Sequence, residues 1–216
     1  MKNPIPLFAI SAVMLGSALM GCATKPYDYT NYRAHPPRSI VVLPPLNEST
    51  DVSGSYSYLS TVSYPLAELG FYVFPVAVVD QLFKENGMPT AGEMHQAPLN
   101  KILEIIGADA VLYITLKQYG TKYEVIASVT TVSAQAKLVD TRTGTVLWEG
   151  MLTAQQNSSG GSGNIIADLV VVAVSQVINK ATDHAHDVSR VANAQFATKD
   201  HGLLYGPYHP KYEAGK

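Results

Sequence analysis

Asp183-His184-Ala185-His186-Asp187 sets two imidazoles between two carboxylates, donor types that bind zinc. On a helix, residues two apart point about 200° away from each other, so His184 and His186 cannot share an ion as a pair spaced by four does. A solvated helix face is expected there, and no metal. Ser159-Gly-Gly-Ser-Gly-Asn164 offers backbone N–H groups that could cradle an anion at a helix start. It lacks the Gly-Lys-Ser or Gly-Lys-Thr ending of a P-loop and does not open onto an early parallel strand, so a plain loop is expected. No Gly-x-Ser-x-Gly elbow is present, and Glu68, Glu85, Glu93 and Glu104 have no spacing that marks an acid and base pair. The chain is therefore expected not to be an enzyme and to hold no cofactor.

The lone cysteine carries the strongest chemical signal. Lys2 supplies a positive start, Leu7 to Leu19 is almost wholly apolar, and the run ends in Leu19-Met20-Gly21-Cys22. This resembles the lipobox of bacterial lipoproteins, in which the cysteine thiol is lipidated before cleavage leaves it as the new N-terminus. Residues 1–21 are expected to be the signal peptide and Cys22 the lipidation site. Ala23, where Asp would retain such a protein at the inner membrane, implies the outer membrane, with the periplasmic side preferred to the cell surface. Several acyl chains on one residue hold far more firmly than one, at about 0.8 kcal/mol per buried methylene. The apolar run is too short for a stable span, and no other segment approaches 18 apolar residues.

The rest of the chain must fold the body that this anchor carries. Charged residues make up 15% of its 216 positions, against roughly 25% in an ordinary domain, while 47% are hydrophobic. Extensive disorder is thereby excluded. The net charge of -2 excludes a large basic field for nucleic acid, and a single Cys excludes an internal disulfide. Residues 22–38, with three prolines and three tyrosines but no apolar period, are expected to form a lipidated tether of about sixteen residues, roughly 50 Å if extended. A single domain is expected over 39–197 and an irregular tail over 198–216.

Within that domain, Ser39-Ile-Val-Val-Leu43, stopped by Pro44-Pro45, has the continuous apolar character of a strand buried on both faces. The spacing of Tyr58, Leu59, Val62, Leu66 and Leu69 predicts a helix over 55–69, weakened at Pro65 and stopped at Gly70. A strand over 71–74, helices over 76–85 and 98–106, and a three-stranded meander over 110–119, 123–139 and 145–155 follow. The meander turns are expected at Gly120-Thr121-Lys122 and at 140–144, with Leu138 and Trp148 on the covered face. Asn157 to Gly163 reads as a flexible break, and Asn164 as the cap of a long helix with Ile166, Leu169, Val170, Ala173, Val177, Ile178, Ala181, Val188 and Ala192 on one stripe.

Tyrosine is unevenly spread, with Tyr27, Tyr29 and Tyr32 near the start, Tyr56, Tyr58 and Tyr64 on the first helix, and Tyr205, Tyr208 and Tyr212 in the tail. Tyrosine suits surfaces that are half buried and half wet, including interfaces, so a homo-oligomer is expected. Val125 to Ala136 is uncharged and long enough to cross an outer membrane as a strand, but its alternation is poor and a periplasmic sheet strand is expected.

Ser39-Ile-Val-Val-Leu-Pro-Pro-Leu-Asn47, Tyr56-Ser-Tyr-Leu-Ser-Thr61, Tyr72-Val-Phe-Pro-Val-Ala-Val-Val-Asp80, Phe83-Lys-Glu-Asn-Gly87, Glu93-Met-His95, Gly107-Ala-Asp-Ala-Val-Leu-Tyr113 and Leu203-Leu-Tyr-Gly-Pro-Tyr-His-Pro-Lys-Tyr212 occur in that order. Together they resemble a family of outer-membrane lipoproteins of unknown function that includes a genome-derived neisserial antigen. The resemblance implies an α/β (α+β) fold, a mixed sheet of about five strands with packed helices, similar to the N-terminal domain of TolB and the periplasmic domain of the secretion lipoprotein CsgG. It further implies a non-enzymatic subunit of an envelope secretion or transport complex, with a CsgG-like lipoprotein and a small lipoprotein as partners. The alternative is a lipoprotein regulator of a peptidoglycan synthase, for which the expected tether is short. No catalytic residue is carried over.

Overall fold

Ile40, Val41, Val42 and Leu43 are all fully buried, and alternation along the strand sends Ile40 and Val42 to one face and Val41 and Leu43 to the other. A strand of this kind needs a covering layer on each side. The computed structural model, which describes residues 27–123, 128–157 and 184–213, supplies both. β1 (Ser39–Val42) lies parallel to β3 (Tyr72–Val73) on one side and to β4 (Ala110–Tyr123) on the other. Pro44 and Pro45 have no N–H to give to β4, so pairing lapses after Leu43 donates to the Leu112 carbonyl. It resumes on the same neighbour as β2 (Leu46–Asn47). β5 (Ser128–Asp140) and β6 (Val146–Asn157) continue the sheet antiparallel, giving the order β3-β1-β4-β5-β6 with β2 beside β4.

The sheet is mixed and six-stranded among the described residues, one strand beyond the expected number because the diproline divides the first. One face is covered by α2 (Gly54–Glu68) and α6 (His184–Asn193), the other by α3 (Val76–Glu85), α4 (Ala91–Met94) and α5 (Leu99–Ile106). Pro65 does not interrupt α2, because in the last turn it removes one intrahelical bond while its own carbonyl still accepts from Leu69 N–H. α4 has no long apolar stripe; it stands on a capping box in which Thr90 Oγ1 accepts from Glu93 N–H and Glu93 Oε2 accepts from Thr90 N–H. α5 starts after Pro98 and ends at Gly107, whose φ of 76° is left-handed.

Two expectations are corrected, and a third falls mostly outside the described residues. The turn placed at Gly120-Thr121-Lys122 is strand: β4 keeps its register with β5 past a bulge between Leu116 and Gln118, pairing Gly120 with Thr131. Pairing runs on to Tyr123 with Ser128, and residues 124–127 lie outside the described residues. The tether expected over 22–38 is ordered body from Tyr27 on, where α1 (Thr30–Ala34) forms and Tyr29 and Tyr32 are buried. Burial of a tyrosine ring against distant parts of the chain leaves no local period to read. Of the long helix expected from Asn164, residues up to 183 lie outside the described set, and within that set α6 buries Val188 and Ala192 of the expected stripe in the core.

Leu138 and Trp148 lie on the covered face as expected, paired with one another in register. The indole reaches back over Gly150, where a Cβ would come within 2.6 Å of the ring. The portion of Val125 to Ala136 that is described turns Thr130, Val132, Ala134 and Ala136 inward and Val129, Thr131, Ser133 and Gln135 outward, a one-sided sheet strand.

One carboxylate ties the start of the sheet together. Asp109 Oδ2 accepts from the backbone N–H of Arg38 at 3.0 Å and of Ser39 at 3.2 Å, and Oδ1 accepts from Arg142 Nη2 at 2.5 Å. It thereby joins β1, β4 and the β5–β6 turn. That turn is held by Asp140, whose Oδ1 accepts from Thr143 N–H at 2.7 Å, and by Gly144 with φ of 71°. Burial pushes the Asp109 carboxyl up, but the Arg142 guanidinium, the Arg38 N–H and the Ser39 hydroxyl outweigh it and hold the group below its ordinary 3.8. A folded value below the unfolded one means the stabilisation is complete above about pH 4 and is lost as pH falls through the folded value. Asp109→Asn is expected to cost about 1–3 kcal/mol at neutral pH. The gap to the parent chain should close on acidification, as followed by urea unfolding across pH.

Candidate functional site

The described residues bring no catalytic constellation together, and the site that emerges is a set of surfaces. The first is built from the two ends of the chain. Tyr27 N–H donates to the Asp200 carbonyl at 3.1 Å, and the Tyr27 hydroxyl accepts from Glu149 N–H at 3.0 Å. The Tyr29 hydroxyl donates to the Gly202 carbonyl at 2.5 Å and that of Tyr32 to the Leu204 carbonyl at 3.4 Å. The three rings pack in series, with centroids 5.0 and 6.2 Å apart. Burial pushes Tyr29 up to about 12 and Tyr32 higher still, so both remain neutral donors.

The tail, irregular after Ala197, is stitched to the body by Trp148 Nε1 donating to the His201 carbonyl and by Gly206 N–H donating to the Leu69 carbonyl. Its approach is close enough to require glycine on both sides. A Cβ on Gly70 would lie 2.3 Å from His209 N, and one on Gly206 would lie 2.4 Å from the Gly70 carbonyl oxygen.

Between α2 and α6 runs a buried polar chain: Tyr58 donates to Asn193 Oδ1 at 2.5 Å, Asn193 Nδ2 to Thr61 Oγ1 at 2.8 Å, and Thr61 to the Tyr58 carbonyl at 2.7 Å. Among the described residues no buried side-chain polar atom lacks a partner, so none is aimed unused into a cavity.

His184 is exposed at the start of α6, while His186 turns to α2, its Nε2 lying 3.2 Å from Ser60 Oγ and its Nδ1 4.0 Å from Asp187. The two imidazoles are not brought to one point, and no described group of three His, Cys, Asp or Glu could hold an ion. Glu85 accepts from Gln81, Glu93 is committed to its capping box, Glu104 pairs with Lys101, and Glu68 is exposed at the end of α2. Cys22 and the loop Ser159 to Asn164 lie outside the described residues.

The α3–α5 side of the sheet carries the second surface. A cleft of about 230 Å³ opens between these helices, lined by Leu82, Phe83, Met88, Pro98 and Ile105. Ile105 is 60% exposed, and Val78 on α3 is 64% exposed. Beside it, among the described residues, no helix covers the outer face of β4–β5–β6, which is polar, with Ser133 and Thr153 hydrogen bonded at 2.9 Å and Lys137 opposite Glu149. His95, within the Glu93-Met-His95 motif, closes the boundary: its Nε2 lies 2.9 Å from the Pro44 carbonyl, and its ring meets Tyr113 edge to face at 5.3 Å. Burial, with Lys137 nearby, pulls its pKa down against the pull of that carbonyl.

Sheet edges are a third potential surface, and β6 is guarded. Asn31 Nδ2 donates to the Val146 carbonyl, Tyr27 takes the Glu149 N–H, and the Gln195 amide both accepts from Thr153 N–H at 3.2 Å and donates to its carbonyl at 2.5 Å. Side chains here stand in for a missing strand.

Among the described residues no helix is long and apolar enough to cross a membrane. A family model described as "Putative lipoprotein GNA1162-like" matches residues 27–208. A protein of Neisseria meningitidis serogroup B with the name "putative lipoprotein" is 41% identical over 203 residues, which span 93% of this chain and 94% of its own. The crystal structure of lipoprotein GNA1162 from Neisseria meningitidis matches at 50% identity with a TM-score of 0.55, covering 59% of this chain and 88% of that one. A PelC dodecamer from Paraburkholderia phytofirmans is a looser match, at 17% identity and a TM-score of 0.41 over 57% of this chain and 75% of its own.

The guard on β6 gives a direct test. Gln195→Ala opens the Thr153 edge groups and is expected to cost about 1 kcal/mol per lost bond. It should also promote concentration-dependent association, measured by urea unfolding together with sedimentation velocity.

Proposed function

The chain belongs to the GNA1162-like family of lipoproteins, and on that premise we propose that it is a non-enzymatic outer-membrane lipoprotein held by acyl chains on Cys22. Its α/β body, facing the periplasm, works as an oligomeric or accessory subunit of an envelope secretion or transport complex. The domain division follows: a signal over 1–21, a short lipidated link from Cys22, and one body with its docked tail.

The observation that carries the assembly reading is the α3–α5 surface, where Ile105 stands exposed at the lip of an apolar cleft and Val78 is exposed on α3. Exposed apolar side chains gathered at a cleft and rimmed by polar residues are the mark of a surface that another protein covers. The occupant is a second copy of the chain or a neighbouring subunit, with a CsgG-like lipoprotein and a small lipoprotein as the proposed companions. The alternative reading is a lipoprotein regulator of a peptidoglycan synthase. Tyr27 is already docked five positions after Cys22, so the body has little length with which to reach a distant synthase.

Two measurements test these statements. Cys22→Ser is expected to abolish the acyl mass of the mature chain and to move the protein from the membrane to the soluble fraction. The lipidated parent, extracted in mild detergent, should sediment as more than one copy or bring envelope lipoproteins with it on affinity purification. Ile105→Glu should reduce it to an unaccompanied monomer. A parent chain that is itself monomeric and alone would remove the assembly reading.

A further inference from the structure

We propose that the face formed by α1 and the docked tail sits directly on the bilayer that holds Cys22, with the opposite end of the sheet projecting away from it. This seating rests on the lipid anchor proposed above. Its first support is a length. Tyr27 is pinned to the body at both its backbone N–H and its hydroxyl, and Cys22 precedes it by five positions. Five residues span at most about 18 Å when fully extended. β4 alone, with 14 residues, is about 45 Å long at roughly 3.4 Å per residue. A body of that size on so short a link cannot turn its far end to the membrane, nor move this face more than about 18 Å from it.

The second support is what surrounds Tyr27. Two clefts flank the point where the chain enters the body, and Arg33 and Tyr205 line both. Tyr205, stacked on His209 at 3.8 Å, and Tyr208, 63% exposed, stand on the same tail. Tyrosine rings with a wet hydroxyl and an apolar body are enriched at the headgroup level of membranes, where arginine and lysine reach phosphate. The local charges nearly balance, with Arg33, Lys199 and Lys211 against Asp28, Asp200 and Glu213. The hold is therefore set by the link and the rings, and raising salt should change it little.

The far end is fixed by register. Asn31 of α1 bonds Val146 at the start of β6, near the Ala110–Asp140 pair, whereas the cleft lined by Val52, Tyr119 and Lys122 lies at the other end of β4. Val52 is 92% exposed there.

Because Cys22 is the only cysteine and its thiol is alkylated in the mature protein, single cysteines placed elsewhere can be labelled uniquely. Full-length lipidated protein carrying Tyr208→Cys, Lys199→Cys or Val52→Cys, each with one fluorophore, is reconstituted into vesicles of phosphatidylethanolamine and phosphatidylglycerol containing brominated lipid. Labels at 199 and 208 are expected to lose emission to the brominated lipid, and the label at 52 to keep it, at low and high salt alike. Equal quenching at all three positions overturns the seating, as does stronger quenching at 52. Labels at 199 and 208 that avoid lipid but quench one another between chains would place a second copy on this face and also overturn it. The intact mass separates the two levels. Without acyl mass both the anchor and the seating fall, whereas an acylated chain with lipid-blind labels overturns the seating alone.

Discussion

A strand buried on both faces is the constraint on which the rest of this structure depends. Ile40 to Leu43 carries no polar side chain, so its only hydrogen bonds are those of its backbone to β3 and β4. The described helices α2 to α6 are placed to cover one face of that strand or the other. α2 and α6 take the side of Ile40 and Val42, and α3 to α5 take that of Val41 and Leu43. Among the described residues the coverage is unequal, since the apolar cluster under the second group of helices reaches β1 and the first part of β4, as far as Tyr113, and includes nothing from β5 or β6. The interaction surfaces are the remainder of this asymmetry.

Where the chain was legible in sequence, the signal was local. The helix Val76–Glu85 sits between Pro75 and Asn86-Gly87, and the turn at Asp140 to Gly144 carries its own acceptor and its own left-handed glycine. Gly120 was misleading for the opposite reason. A glycine is a turn signal only when its neighbours cease to pair, and the register with β5 holds on both sides of it. α4 was missed although Thr90 and Glu93 form a capping box, because four residues are too few to show a period. Tyr29 and Tyr32 were misjudged because their partners lie 173 and 172 positions away, a separation at which composition says nothing.

The candidate site divides along the same line. The proposal for Cys22 rests on sequence alone, on a short linear motif around one thiol, and the residue lies outside the described set. The His184 and His186 pair was legible, as two side chains that an α-helix sends apart, and α6 does so, turning His186 to Ser60. The α3–α5 cleft and the face shared by α1 and the tail have no linear signature. Each is assembled from segments far apart in the chain, and only a folded backbone brings them side by side.

The guard on the β6 edge is also a statement about mechanics. Tyr27 takes the Glu149 N–H, and Tyr29 and Tyr32 follow it inward, one after another, along the same tail. A pull transmitted through the N-terminus therefore loads these three rings in sequence, peeling them singly instead of shearing the sheet. Through Tyr27 and Asn31 the first of that tension falls on the outer edge of β6, and β1 is loaded only after the last ring has come away. The segment from Tyr27 to Tyr32 acts as a fuse in the load path, yielding by steps while the strands it protects remain closed.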